Sequence, residues 1–303
     1  MRSSCSIQLV AAVAAVTMFF AASPSIRSQD ESPGGRNQSP ETQSRLPDNW
    51  EKAISQLSSP KGKQRIKAFD SIVKMLPPPK GDPSYPPDRA FADSVSQLDP
   101  SVADRLKTAV IETLALEQKA HSVAQLNAGD VDDEYYRSLV FDVASLDDPR
   151  ALPLLVRELS TGEAVGHSMA RFGPKAVGPL ISEGDNGSDD ERNRSSCPGE
   201  LAEMLRTKTV THEANAVEYG LIKAAALHWA SAPLSEMRDA DVLLLEQIND
   251  PDTVDTLHRL AGGDPEGTKG PDGAMHFYVR ESAQAALDRL GNMAGKGYID
   301  RPI

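Results

Sequence analysis

Cysteine is scarce in this chain of 303 residues, which has only Cys5 and Cys197. Cys5 precedes an apolar run, whereas a lipoprotein anchor cysteine would follow one. If the leader is removed, Cys197 stands alone and no intrachain disulfide can form. Aromatic residues are also few, at 5%, so the core has to be built from Leu, Ala and Val rather than from large rings. Positive charge is in deficit: 32 Lys and Arg face 44 Asp and Glu, a net charge of −12. Phosphates are repelled by such a balance, and no nucleic-acid partner is expected. Runs of alternating β-branched residues are missing, which argues against a sheet. So are a glycine-rich loop following a strand and a G-x-S-x-G elbow.

The N-terminus carries the longest apolar stretch. "LVAAVAAVTMFFAA", residues 9–22, is uncharged, follows Arg2, and leads into small and polar residues. It is too short for a comfortable membrane span and has the form of a secretory signal core. Residues 1–25 are therefore read as a signal peptide, and the protein as periplasmic or secreted, with no membrane span once the signal is removed. An uncleaved anchor is the alternative. Residues 26–47 are polar, with Gly and Pro and no periodicity, and read as a disordered linker.

From Trp50 to about Leu290 the pattern is helical. "DNWEKAISQLSS" and "KQRIKAFDSIVKML" form a first pair, with Ile66, Phe69, Ile72 and Val73 on one face of the second helix. After a proline-rich break at residues 77–87, a long helix is predicted from Pro100 to about Ala120. Its stripe is Val102, Leu106, Ala109, Val110, Thr113 and Leu114. "DDEYYRSLVFDVASL" gives another helix, with Leu139, Val143 and Leu146 inward.

An Asp-Pro start then repeats. "DPRALPLL" at 148–155 returns as "DPDTVDTL" at 250–257 and, more loosely, as "DPSVADRL" at 99–106. "GPKAVGPLI" at 173–181 repeats it without the Asp. Aspartate as N-cap and proline at the first helical position suit a helix start. In the first copy Pro153 then falls inside the expected helix, a strain that curvature in a stack of neighbours would explain. "EAVGHSMARFG" reads as a short helix with Val165, Met169 and Phe172 inward and Gly173 ending it. "YVRESAQAALDRLG" reads as one with Val279, Ala283, Ala286, Leu287 and Leu290 inward and Gly291 ending it. One helix pair cannot bury both of its faces, but stacked pairs can.

These residues resemble the HEAT repeats, including the short HEAT-like repeats of bilin-lyase proteins. The likeness is carried by "DDPRALPLLVREL…GHSMARFGPKAVGPLI" and by Val279, Arg280, Ala283, Ala286 and Leu287 of the last helix. It implies an all-α chain, an α-solenoid of irregular HEAT-like helix pairs with a face for partner binding, and it carries no catalytic motif. Residues 48–146 are assigned to divergent N-terminal helical repeats, 147–291 to HEAT-like repeats and 292–303 to a tail. Stretches 184–212 and 261–276 are read as inserted loops.

Chemistry-bearing residues are scattered. His212-Glu213 starts like a helical zinc motif, but Ala216 stands where the second His belongs. His121, His167, His258 and His276 have no ligand spacing and are expected to be buried in ordinary helices. "GDNGSDDERN", 184–193, is dense in carboxylates, but Gly187 breaks the EF-hand order, and a solvated loop is the preferred reading. In "GDVDDEYY", 129–136, Asp132, Asp133 and Glu134 suit the first turn of a helix. Cys197 lacks the positive surroundings of a thiolate. No catalytic, cofactor-binding or metal-binding residue is assigned, and no cofactor. The insertion "AGGDPEGTKGPDG", 261–273, is the strongest candidate for a functional loop. The expected function is a non-catalytic, extracytoplasmic scaffold that binds a protein partner. The alternatives are a hydrolase or metal-dependent enzyme whose site is built from inter-helix loops, and a bilin-lyase-like small-ligand carrier. Convergence of His212, His228, His276, Asp185 and Cys197 in one pocket would favour the enzyme.

Overall fold

The three Asp-Pro sites do not behave alike. At Asp250 the side chain accepts from the Thr253 amide at 3.0 Å, Thr253 Oγ1 accepts from the Asp250 amide, and Pro251 is the first helical residue. At Asp99 the carboxylate accepts from the Ser101 amide at 2.9 Å, and a long helix runs from Pro100 to Ala120. At Asp148 the carboxylate accepts from the Arg150 amide at 3.0 Å, but only a turn follows. The helix there begins at Leu152, so Pro153 lies in its first turn, where a missing N–H costs no bond. The expectation of a helix over 148–159 strained by an interior proline is therefore corrected.

The computed structural model describes residues 48–79, 89–120, 131–187, 190–269 and 273–294. The signal and linker assignments at 1–47, most of the proline-rich break, His121, Asp189 and the end of the C-terminal tail lie outside them. The described residues are almost wholly helical, and the all-α expectation holds. In chain order they form α1 (Asp48–Leu57), α2 (Gly62–Met75), α3 (Ala90–Val95), α4 (Pro100–Ala120), α5 (Val131–Ser145) and α6 (Leu152–Leu155). A 3-10 segment, Val156–Thr161, follows, and then α7 (Glu163–Phe172), α8 (Pro174–Asn186), α9 (Glu191–Arg206), α10 (Ala216–Trp229), α11 (Ser235–Ile248) and α12 (Pro251–Gly263). A two-residue antiparallel hairpin, β1 (Thr268–Lys269) with β2 (Met275–His276), precedes the last helix, α13 (Tyr278–Ala294).

The substantial packing joins elements close in chain order. α1 packs on α2 and α4, α4 on α5, and α5 on α7 and the 3-10 segment. From α8 onward there are two rows. α8, α10 and α12 follow one another on one side, α9, α11 and α13 on the other, and each pair α8–α9, α10–α11 and α12–α13 closes across the rows.

α9 is the largest departure from the sequence reading, which had a loop over 184–212. Asp190 caps it by accepting from the Arg192 amide. Asn193, Cys197, Leu201 and Met204 are all buried, at steps of four, four and three. That is a helical stripe, hidden because its first members are Asn and Cys and because Pro198 interrupts it.

The end of α6 and the 3-10 segment are bonded from outside. Gln118 donates to the Leu154 carbonyl at 3.0 Å, Asn193 donates to the Val156 carbonyl at 2.8 Å, and the Ser160 amide donates to Asn193 Oδ1 at 3.1 Å. Glu158 is buried among donors, accepting from Tyr136, Gln118 and Thr161. These bonds give the segment's polar groups partners other than a regular helical ladder.

Smaller differences follow the same logic. In α2 the buried stripe is Arg65, Ala68, Phe69 and Ile72, while Val73 is 45% exposed. Arg65 turns inward because its Nε donates to buried Glu117 at 2.6 Å. Gly291 does not end α13, which continues to Ala294. Ala283 and Ala286 are fully buried there, whereas Ala285 is exposed. A leucine at 286 has to force helices apart. We expect Ala286→Leu to cost about 1–3 kcal/mol and Ala285→Leu much less, read from denaturant midpoints. A reversed order would mean that α13 presents a different face.

Candidate functional site

The insertion after α12 folds back on α11 and α13. Arg238, on the second turn of α11, is its anchor. Arg238 donates to the Asp264 carboxylate through Nε at 2.6 Å and Nη2 at 3.0 Å, to the Ala232 and Pro233 carbonyls through Nη1, and to Glu266 at 3.1 Å. Burial alone would raise the Asp264 carboxyl, but its bonds to Arg238 and to the Glu266 amide hold it below the usual range. Arg280 donates to the Asp264 carbonyl and lies over the Phe277 ring, 4.1 Å from its centroid. A side chain on Gly267 would meet that ring at 2.7 Å, so only glycine lets the strand pass.

This frame borders a cleft of about 220 Å³. Ser235, Glu236 and Asp239 line it from the start of α11, Glu266 and Thr268 from the insertion, and Tyr278 and Val279 from the start of α13. Three carboxylates share one recess, and Asp239 Oδ1 is buried with no hydrogen-bond partner. At the rim Tyr278 is 53% exposed, and the His276 ring stacks on Tyr278 at 6.1 Å. Carboxylates within a recess, beside an exposed aromatic face, suit a cationic group carried on an apolar stem. The sequence singled out the insertion but not Glu236, Asp239 or Tyr278, which are distant or unremarkable in sequence and meet only through the fold.

The other sequence candidates go to different places. Asp185 ends α8, where its Oδ1 accepts from Trp229 Nε1 at 2.7 Å. Neighbouring Gly184 is required there, since a Cβ would fall 2.5 Å from the Trp229 ring. Asp190 caps α9 and accepts from Ser160. Two acids of the 184–193 stretch thus hold helix ends together. Asp132, Asp133 and Glu134 occupy the first turn of α5. Cys197 is fully buried, and burial pushes its thiol up, away from the thiolate form. His212 is exposed in a turn before α10 and meets Tyr219 edge-on at 5.1 Å, so it does not start the helix. His228 is exposed on α10, and His276 stands 3.9 Å from Glu281. His167 and His258 are exposed rather than buried, because each falls on the solvent face of its helix. Among the described residues no three or more of His, Cys, Asp and Glu gather as a metal site would require. Comparison with protein-family models and with curated proteins returns no match.

Proposed function

We propose that the protein is a non-catalytic, extracytoplasmic scaffold, an α-solenoid of irregular HEAT-like helix pairs that binds a protein partner. The neighbour-to-neighbour packing supports the array, because a stack of helix pairs makes just such local contacts. The observation that carries the binding role is the acid-lined cleft at the C-terminal insertion, with Tyr278 exposed at its rim. A long insertion in a repeat array falls on one face, and that face is used for recognition. The cleft's chemistry selects a basic segment of the partner. Export rests on residues 9–22, and N-terminal sequencing of the mature protein is expected to find a start between about residues 22 and 30. Intact Met1 on the soluble protein would contradict export.

The binding role is tested by titrating labelled peptides, basic, neutral and acidic, against the full chain. Basic peptides should bind, and Glu236→Gln with Tyr278→Ala should weaken them at least tenfold, about 1.4 kcal/mol, without moving the melting temperature. Equal affinity for all three peptide classes, or no effect of the variants, would overturn the assignment.

A further inference from the structure

Asp239 is the one acid of the cleft that the fold itself leaves unbalanced. Glu236 stands in the first turn of α11, where the helix dipole favours a carboxylate, and its Oε2 accepts from Ser235 Oγ at 3.1 Å. Glu266 Oε2 is held by Arg238 Nη2. Asp239 lies beyond the first turn, where the dipole has fallen off. Its Oδ1 is sunk out of contact with solvent and has no hydrogen-bond partner, which leaves Oδ2 as the oxygen it shows to the cleft. The cations of the surrounding frame are engaged elsewhere. Arg238 is bound to Asp264 and Glu266, and Arg280 to the Asp264 carbonyl and the Phe277 ring. Lys269 follows Thr268 in β1, so it points away from the cleft that Thr268 lines. A cation brought from outside is what Asp239 lacks.

We propose that this cation is the ammonium of a lysine, and that the cleft discriminates against arginine. The inference rests on the reading of the cleft as the site for a basic segment, and names the residue of that segment which enters it. At about 220 Å³ the cleft is smaller than the roughly 300–1,000 Å³ of a small-molecule pocket and suits a single side chain. Glu236 and Asp239 are three positions apart on α11, so they stand side by side on one helix face. In each carboxylate of the cleft one oxygen is already bonded or sunk, and one is free. An ammonium is a compact charge with three rotatable donors. It can take one oxygen from each of Glu236 and Asp239, with the Thr268 hydroxyl as a third acceptor. A guanidinium is a planar fork that binds best to both oxygens of one carboxylate, and no carboxylate of the cleft offers that pair. Buried Val279 and the exposed ring of Tyr278 give the lysine stem an apolar bed. A metal ion does not suit the cleft, since among the described residues no three such ligands gather closely enough to hold one.

Fluorescence anisotropy with the full chain tests the proposal. The probes are N-acetylated, C-amidated peptides of otherwise neutral sequence that differ at one central residue: lysine, arginine, acetyllysine or norleucine. The lysine peptide should bind tighter than the arginine peptide by about tenfold or more, and acetyllysine no better than norleucine. Asp239→Asn should bring lysine and arginine to about equal affinity while circular dichroism stays unchanged, and Glu266→Gln should weaken both and keep their ratio. The wild-type ratio by itself decides between lysine and arginine. Arginine bound as tightly as lysine, with norleucine weaker, would overturn the lysine assignment and leave the basic-segment reading standing. Equal binding of lysine, arginine and norleucine would remove both. A lysine preference that survives Asp239→Asn would also overturn the proposal, because the preference would then come from another group. So would displacement of the lysine peptide by Ca²⁺ but not by NaCl of equal ionic strength, which would give the cleft to a metal.

Discussion

Arg238→Met is expected to destabilise the chain by about 3–5 kcal/mol, because it removes one half of a buried ion pair and leaves the other. The Asp264 side chain is 2% exposed and that of Arg238 8%. Without the guanidinium, the donor left to the Asp264 carboxylate is the Glu266 amide, at 3.1 Å. The carbonyls of Ala232 and Pro233 lose their donor at the same time. Methionine preserves much of the side chain's bulk, so the loss reports charge and hydrogen bonding rather than a cavity. Asp264→Asn added to Arg238→Met should recover a large part of the loss, since the stranded charge is then gone. Chemical denaturation of the four chains gives the coupling. Full additivity would show that the pair is not a unit. Because Arg238 also holds Glu266 at the cleft, the single variant should weaken basic-peptide binding as well.

Asp241→Asn is expected to flatten the dependence of stability on pH. Asp241 is fully buried on α11, neither carboxylate oxygen has a partner, and burial raises its carboxyl well above the ordinary value near 3.8. Between that value and the folded one, the unfolded chain is ionised while the folded chain keeps the proton. The folded state binds more protons, so stability falls as pH rises, by about 1.4 kcal/mol for each pH unit in the window. Below the window the penalty vanishes. Asp241→Asn cannot ionise, and it should match the wild type near pH 4 and exceed it increasingly towards neutral and alkaline pH. Asp142 on α5 has the same sign, since burial pushes it up to about 7. Asp142→Asn should remove only the part of the slope below neutrality. Parallel stability curves for wild type and Asp241→Asn across pH 4–9 would show that Asp241 has a partner or is hydrated.

The helical stripes of α4, α5, α7 and α13 were legible because their apolar residues recur at helical spacing and their cores are Leu, Val and Ala. Pro153 was misread because the same Asp-Pro dipeptide caps a helix at 250 and forms a bare turn at 148. The difference lies in Arg150, which folds back on Asp148 and reaches Thr108 and Asp104 on α4. α9 was missed because buried Asn193 counts as polar in any periodicity, although its bonds to Val156 and Glu183 make it part of the core. The cleft was half legible. Its insertion stands out in composition, but Asp239 and Tyr278 lie 39 positions apart by their numbers and are brought together by α11 packing on α13.

The proposed array rests on local stacking, and hydrogen exchange of Ala286→Leu tests that most directly. In a stacked array each helix pair leans on its neighbours, so damage stays near its source. Exchange should rise across residues 250–290, where α12 and α13 meet, while residues 100–120 and 131–160 keep wild-type protection. Protection lost evenly along the chain would contradict the array and describe a single cooperative core instead.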